Sequence, residues 1–271
     1  MLNFSMQKSF YFILIFSISL FSCNNDDENQ DNNNSSELIA DSNQSSIQNT
    51  AFEQQNYEIP KELVYNKQKG DFLYDKFYPI GWSREGKFAY IIENADEGSG
   101  YYWFEIIVKD IVNSKIVWSW KPEESEEGDL KSTWESNYKL FAEKLNNSEI
   151  IQIKQFELKP TKSTFKGNDY KFKIETATVA DQDYGFEVIK EITINISSPE
   201  LGNKEIYNIK NESGSMTLGA ILSGYLQSPD DDRIIVILKQ ERFGYEGPPN
   251  VISFELINSD LSRGFKKDED S

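Results

Sequence analysis

From about Tyr57 onward, apolar and polar positions alternate with the period of two expected of strands that have one wet face. Tyr170, Phe172 and Ile174 alternate with Lys171, Lys173 and Glu175, and Phe186, Val188, Ile192, Ile194 and Ile196 share one phase that Lys190 interrupts. Ile234 to Leu238 is an unbroken apolar run after Arg233, the pattern of a strand covered on both faces. The stretches Trp103 to Val108 and Ile116 to Trp120 add two more strands. Turn signals separate these elements at residues 94–100, 113–114, 166–169 and 244–249, where Gly, Pro, Asn and Asp gather. One stretch has a different period. Trp134, Tyr138, Phe141, Ala142 and Leu145 fall on a single stripe at helical spacing. Ser132 with Glu135 three residues later fits a capping box, which predicts a helix start near Thr133. Such a stripe packs on its own sheet more readily than on a partner. The pattern predicts an all-β, mainly antiparallel domain over residues 57–265 with one packed amphipathic helix, followed by a charged flexible tail at 266–271.

Two hairpin-like stretches match each other. Gly81 to Ile92 and Leu226 to Ile237 each contain a Ser-led turn (Ser83, Ser228), then a basic residue (Lys87, Arg233), then an apolar strand. Both resemble the Ser-Pro-Asp-Gly-Lys hairpin of TolB-type β-propeller repeats, in which the turn reverses the chain inside a blade. The first copy lacks the Pro, and the second has Asp where Gly usually sits. At roughly 40 to 45 residues per blade, the domain has room for four or five blades at most. The arrangement expected is propeller-like or sandwich-like. Glu97 to Tyr101 and Tyr245 to Pro249 resemble signatures of a family of predicted secreted bacterial proteins of unknown function, which implies no activity.

The N-terminal pattern is of another kind. Lys8 is the only charge before Cys23, and Phe10 to Ser22 is a 13-residue uncharged, mostly apolar run. That is the length of a signal-peptide core and too short for a span of ~20 residues. Its end, Leu20-Phe21-Ser22-Cys23, resembles the lipobox of bacterial lipoproteins, although Phe21 replaces the small residue more usual two before the cysteine. The resemblance implies a signal peptide at 1–22, cleavage before Cys23, and attachment of diacylglycerol and a further acyl chain such as palmitate. Cys23, the only cysteine in 271 residues, is then a lipid attachment point rather than half of a disulfide. Two or more chains anchor stably, so the expected partner is a lipid bilayer reached through acylated Cys23. Residues 24–50 carry only Leu38, Ile39 and Ile47 as large apolar side chains, too few to offset chain entropy, so 23–56 reads as a disordered tether. Asn24 is not the aspartate that resembles an inner-membrane retention signal, and Asp26-Asp27-Glu28 resembles the acidic export tags of surface lipoproteins. The outer membrane of a Gram-negative bacterium is the expected address, with the periplasmic or cell-surface face left open.

Charge and composition remove several functions. With 28 Lys+Arg against 45 Asp+Glu, the net charge is −17, which speaks against nucleic acid as a partner. The absence of histidine rules out Ser-His-Asp and Cys-His catalysis and His-ligated zinc within this chain. Gly81 to Lys87 satisfies G-x-x-x-x-G-K, but Phe88 follows in place of Ser or Thr and the next residues read as strand. Asp181, Asp183 and Glu187 around Gly185, and Asn94, Asp96 and Glu97 before Gly98, space oxygen ligands as calcium loops do. Neither completes the twelve-residue pattern, so no metal or other cofactor is expected. Tyr101, Tyr102, Trp103, Trp118 and Trp120 could stack on sugars or a peptide, although alternation assigns about half of them to the core. No catalytic residue stands out. The sequence therefore predicts a non-enzymatic envelope lipoprotein that binds a protein or glycan partner, with a carboxylate-dependent glycan-processing enzyme as the alternative.

Overall fold

The computed structural model describes residues 52–67, 70–98, 102–123, 128–181, 185–210, 216–245 and 247–267, all within the compact unit Thr50–Ser271. The leader, Cys23 and most of the expected tether lie outside the described residues. In chain order the elements are β1 (Phe72–Tyr74), β2 (Lys76–Trp82), β3 (Lys87–Glu93), β4 (Phe104–Asp110), β5 (Lys115–Trp120), α1 (Leu130–Asn147), β6 (Ile151–Gln152), β7 (Lys162–Phe165), β8 (Asn168–Ala180), β9 (Glu187–Ser198), β10 (Gly202–Lys210), β11 (Thr217–Gln227), β12 (Arg233–Arg242) and β13 (Asn250–Asp260). They form three sheets, ordered β5-β4-β3-β2-β6, β1-β13-β12-β11 and β10-β9-β8-β7. Among the described residues, only the short β1–β13 ladder is parallel. The domain is therefore all-β and mainly antiparallel with one packed helix, as the alternation predicts.

The sheets lie face to face, like a sandwich extended by one layer. Between the first and second sheets, Phe77, Phe88, Tyr90 and Ile107 meet Leu226, Ile235, Ile237 and Ile252. Between the second and third, Ile234, Val236, Leu238 and Ile257 meet Phe172, Ile192, Ile194 and Ile196. The unbroken run of β12 thus sends alternate residues into two cores, and each of Ile234 to Leu238 has no exposed surface. Burying such a side chain contributes about 1.5–3 kcal/mol, so this central strand holds the stack together. The outer face of the first sheet is covered by α1, whose Trp134, Phe141 and Leu145 are buried against Ile80, Ile91, Phe104 and Ile106.

Two bulges change phases that simple alternation gets wrong. In β2, Ile80 is an extra residue opposite the Tyr90–Ala89 step. As a result Tyr78 and Ile80 face the helix, while Trp82 turns to the second sheet. In β9, Ala177 pairs with Glu191 but Thr178 with Ile189, leaving Lys190 unpaired. Beyond that point Ile189 takes the place in the core between the second and third sheets, Val188 is buried as expected but outside that cluster, and Phe186 lies against the Phe243 ring at 5.5 Å. At the ends of the fold, the Gln55 N–H donates to Asn146 Oδ1 at 2.8 Å, and Lys266 pairs with Asn203.

The helix begins three residues before the expected start. Asp129, not Ser132, is the N-cap: its carboxylate accepts the Ser132 N–H at 2.8 Å, and Ser132 Oγ accepts the Asp129 N–H. Ser132 takes the reciprocal place expected for Glu135, because starting here lets Leu130 pack on the core as well. The Ser132 N–H is the main reason the Asp129 carboxyl sits below its usual range. A depressed acid stabilises the fold above its unfolded pKa of ~4 and loses that effect as the pH falls through the folded value. Asp129→Ala is therefore expected to lower the thermal midpoint by a few degrees at pH 7. The gap to the parent should narrow as the pH falls below ~4 and through the lowered folded value, in melts followed by circular dichroism.

Candidate functional site

The two similar hairpins end up side by side in neighbouring sheets. In each, the buried serine donates its N–H to the carbonyl of the basic residue, Ser83 to Lys87 and Ser228 to Arg233, both at 2.9 Å. Gly86 closes the first turn with φ +88. The second turn has no glycine; Asp231 replaces it by accepting the Arg233 N–H at 2.9 Å, the local bond that suits Asp to turns. The G-x-x-x-x-G-K stretch is this first hairpin. It offers no helix N-terminus to a phosphate.

Arg233 joins the two turns. Its guanidinium is ion-paired with Asp231 and donates to the Arg84 carbonyl at 3.1 Å. A Cβ on Gly86 would collide with that guanidinium. Gly86→Ala is thus expected to lose about 1–3 kcal/mol in urea melts, from the left-handed backbone and the displaced arginine together. Gly167, at φ +81 with open space around its Cβ position, is the control: Gly167→Ala carries the backbone penalty alone and should cost less. Equal losses would refute the packing role of Gly86.

Around this junction lies a cleft of about 630 Å³ to which all three sheets contribute. The first sheet supplies Ile111, Val112 and Ser114 from the β4–β5 turn. The second supplies Asp230, Asp231, Asp232 and Arg233 from the β11–β12 turn, and Asn258 to Arg263 (Leu261 excepted) from the end of β13 and the residues after it. The third supplies Lys166 and Lys204. Polar side chains tie the layers together here. Lys166 Nζ pairs with Asp232 at 2.6 Å, and Lys204 Nζ donates to the carbonyls of Asp260 and Arg263 at 2.8 and 2.7 Å. Asn258 Nδ2 donates to Ser114 Oγ at 3.1 Å.

The pairing sets the electrostatics. Burial pushes the Asp231 carboxyl up, but the hydrogen bonds and charge of Arg233 prevail and hold it below the usual carboxylate range. The bond to Asp231 raises Arg233, and the bond to Asp232 raises Lys166. Lys204 is lowered by burial, with Asp260 offsetting part of the effect. An acid held low beside an arginine and a lysine held high is suited to fixed charge, not to proton transfer near neutral pH.

A raised carboxyl occurs elsewhere. Asp75 is pushed up chiefly by burial, and its Oδ1 accepts the Ala95 N–H at 2.9 Å. Its own N–H donates to the Ile252 carbonyl, roughly 27 Å along β13 from Asp260. Nearby, Glu97 lies 3.7 Å from Arg242 and accepts the Tyr245 N–H at 3.0 Å, while Asp96 accepts the Gly98 N–H. These acids pin loops to the sheet end.

Among the described residues, the acidic residues singled out by sequence do not converge on a metal site. Asp96 and Glu97 serve the β3–β4 loop, and Asp181 closes its turn with Phe186 and Gly185 through main-chain bonds. Asp183 and Tyr101 lie outside the described residues. Among the described residues no group of three or more Asp, Glu, Cys or His is placed to hold a metal ion. Trp118 and Trp120 set their rings against Phe141 at 6.3 and 5.1 Å, and Tyr102 packs on the same core. Trp103 is 47% exposed. Sequence alone gives the cleft residues no distinction, because charged turns look alike until the fold shows which of them meet. The chain matches no protein-family model, no curated protein sequence and no solved structure.

Proposed function

We propose that this chain is a lipoprotein of the Gram-negative outer membrane, anchored through acylated Cys23, and that its β domain is a non-enzymatic binding module whose ligand surface is the charged cleft. The lipobox-like end of the leader supports the anchor. The observation that carries binding over catalysis is the pairing inside the cleft: Asp231 and Asp232 are held by Arg233 and Lys166. Glycoside hydrolysis needs one carboxyl kept protonated near neutral pH and a second placed across the sugar. Asp231 is shifted the other way, and neither Trp nor Tyr lines the cleft to stack on a sugar ring.

Incubating the full Cys23→Ala chain, which needs no detergent, with peptidoglycan and envelope polysaccharides tests this reading. No new reducing ends are expected. Release of reducing ends that Asp231→Asn abolishes would replace the binding module with a glycan-processing enzyme.

A further inference from the structure

We infer that the outer edge of β8 pairs with the same edge of a second copy of this chain, joining two third sheets across a two-fold axis; this is independent of what the cleft binds. β7 covers β8 only from Asn168 to Lys171, and the Phe172 N–H then donates to the Thr161 carbonyl at 2.9 Å. Beyond that point no strand pairs with this side of β8 among the described residues. Alternate residues of a strand send their main-chain groups to opposite sides. Phe172 bonds away from β9, whereas the Asp181 N–H donates toward it, to the Phe186 carbonyl. The N–H and C=O groups of Ile174, Thr176, Thr178 and Ala180 therefore face outward. Glu175 to Ala180 are all exposed, and Thr176 to Ala180 carry neither charge nor proline.

The other edges are blunted in the ways that keep sheets from joining. β1, β6 and β7 have at most four residues. β5 is bulged at Val117, β10 at Ile206, and β11 at Leu218 and Ser223. Lys266 also bridges to Asn203 on β10, and Lys159 to Tyr225 on β11. In β8 the ladder shifts without a bulge in the strand itself, because the extra residue, Lys190, belongs to β9. The open run is long, regular and uncharged at its centre.

Charge selects the occupant and the register. A chain of net charge −17 repels its own copies unless the contact is neutral or complementary. Antiparallel pairing about Ala177 meets that condition. Ile174 then bonds with Ala180 and Thr176 with Thr178, each outward-facing residue opposite another. Lys173, which already neighbours Glu175, falls opposite Asp181 of the second copy, and the two-fold repeats that attraction. Ala177 meets its own copy in a non-hydrogen-bonded pair, the closest approach in a ladder, where a small side chain fits. Centring the pair on Thr178 instead puts Glu175 opposite Asp181, a repulsive pair. Centring it on Thr176 needs the outward side of Phe172, which Thr161 occupies. A contact one strand wide makes a weak, reversible dimer.

Sedimentation equilibrium of the full Cys23→Ala chain is expected to show a monomer–dimer equilibrium. Thr178→Pro removes an outward N–H without touching the β9 ladder, a position where a strand tolerates proline. It should raise the dimer dissociation constant about tenfold or more, since a bond is lost on each side of the axis, while the thermal midpoint moves little. Lys173→Glu should weaken the dimer several-fold, and adding Asp181→Lys should restore it. The register has a covalent check, because the Cys23→Ala chain has no other thiol. Ala177→Cys in that chain should form a disulfide-linked dimer on mild oxidation, its two Cα atoms lying within disulfide range. Glu175→Cys should not, since its copy lies roughly 14 Å along the second strand. Equal cross-linking by both cysteines would overturn the proposal even if Thr178→Pro fails to fold. A chain monomeric up to millimolar concentration would also overturn it, leaving the edge to an extended segment of a different protein.

Discussion

A Cys23→Ala chain is expected to incorporate no labelled fatty acid and to move from the membrane fraction to the soluble one. The size of the effect follows from transfer energetics. Each buried methylene contributes about 0.8 kcal/mol, so one acyl chain binds reversibly while two or more hold a protein on the bilayer permanently. The chain brings no electrostatic help, since its net charge of −17 is repelled by anionic headgroups. On the proposed reading anchoring would rest on the acyl chains alone, so losing them is expected to be all-or-none. The measurement is clickable palmitate labelling with fractionation of the same culture. Labelling undiminished in the variant would overturn the lipobox reading, whatever the domain binds.

Phe141→Ala is expected to be the most damaging single change inside the fold. The ring has no exposed surface and lies 5.1 Å from Trp120, 5.6 Å from Trp134, 6.2 Å from Phe104 and 6.3 Å from Trp118. Four aromatic neighbours cannot close around the void together, so transfer and cavity costs add to about 3–5 kcal/mol. Three of those neighbours are tryptophans, and their fluorescence reports the change directly. The check is a urea melt followed at the tryptophan emission, with Phe141→Leu as a milder control. A loss under about 1 kcal/mol would mean that the helix covers the first sheet without stabilising it.

Much of the architecture is local enough to be legible in the chain. Strands are marked by a period of two, and β8 follows it through Tyr170 and Phe172 because one face packs and the other meets water. The run Ile234 to Leu238 announces a strand buried on both faces because no polar position interrupts it. The stripe from Trp134 to Leu145 specifies a helix and the side it buries, since 3.6 residues per turn is a property of the backbone. The matching serine-led turns at Ser83 and Ser228 are visible as well, and both serines make the same main-chain bond.

Tertiary structure decided what depends on distant neighbours. The bulges at Ile80 and Lys190 reverse which side chains point inward, and they exist to fit a partner strand rather than to satisfy local preference. Asp129 wins the cap over Ser132 because an earlier start adds Leu130 to the core. The cleft is the clearest case. Arg84 and Arg233 are 149 positions apart, and Lys166 is 66 positions from Asp232. In sequence each belongs to an ordinary charged turn, and a solvated turn and a binding wall have the same composition. Stacking three sheets so that β12 is covered on both faces gathers these turns at one end. The burial of apolar strands, not the chemistry of the turns, therefore placed the acceptors of the cleft beside one another.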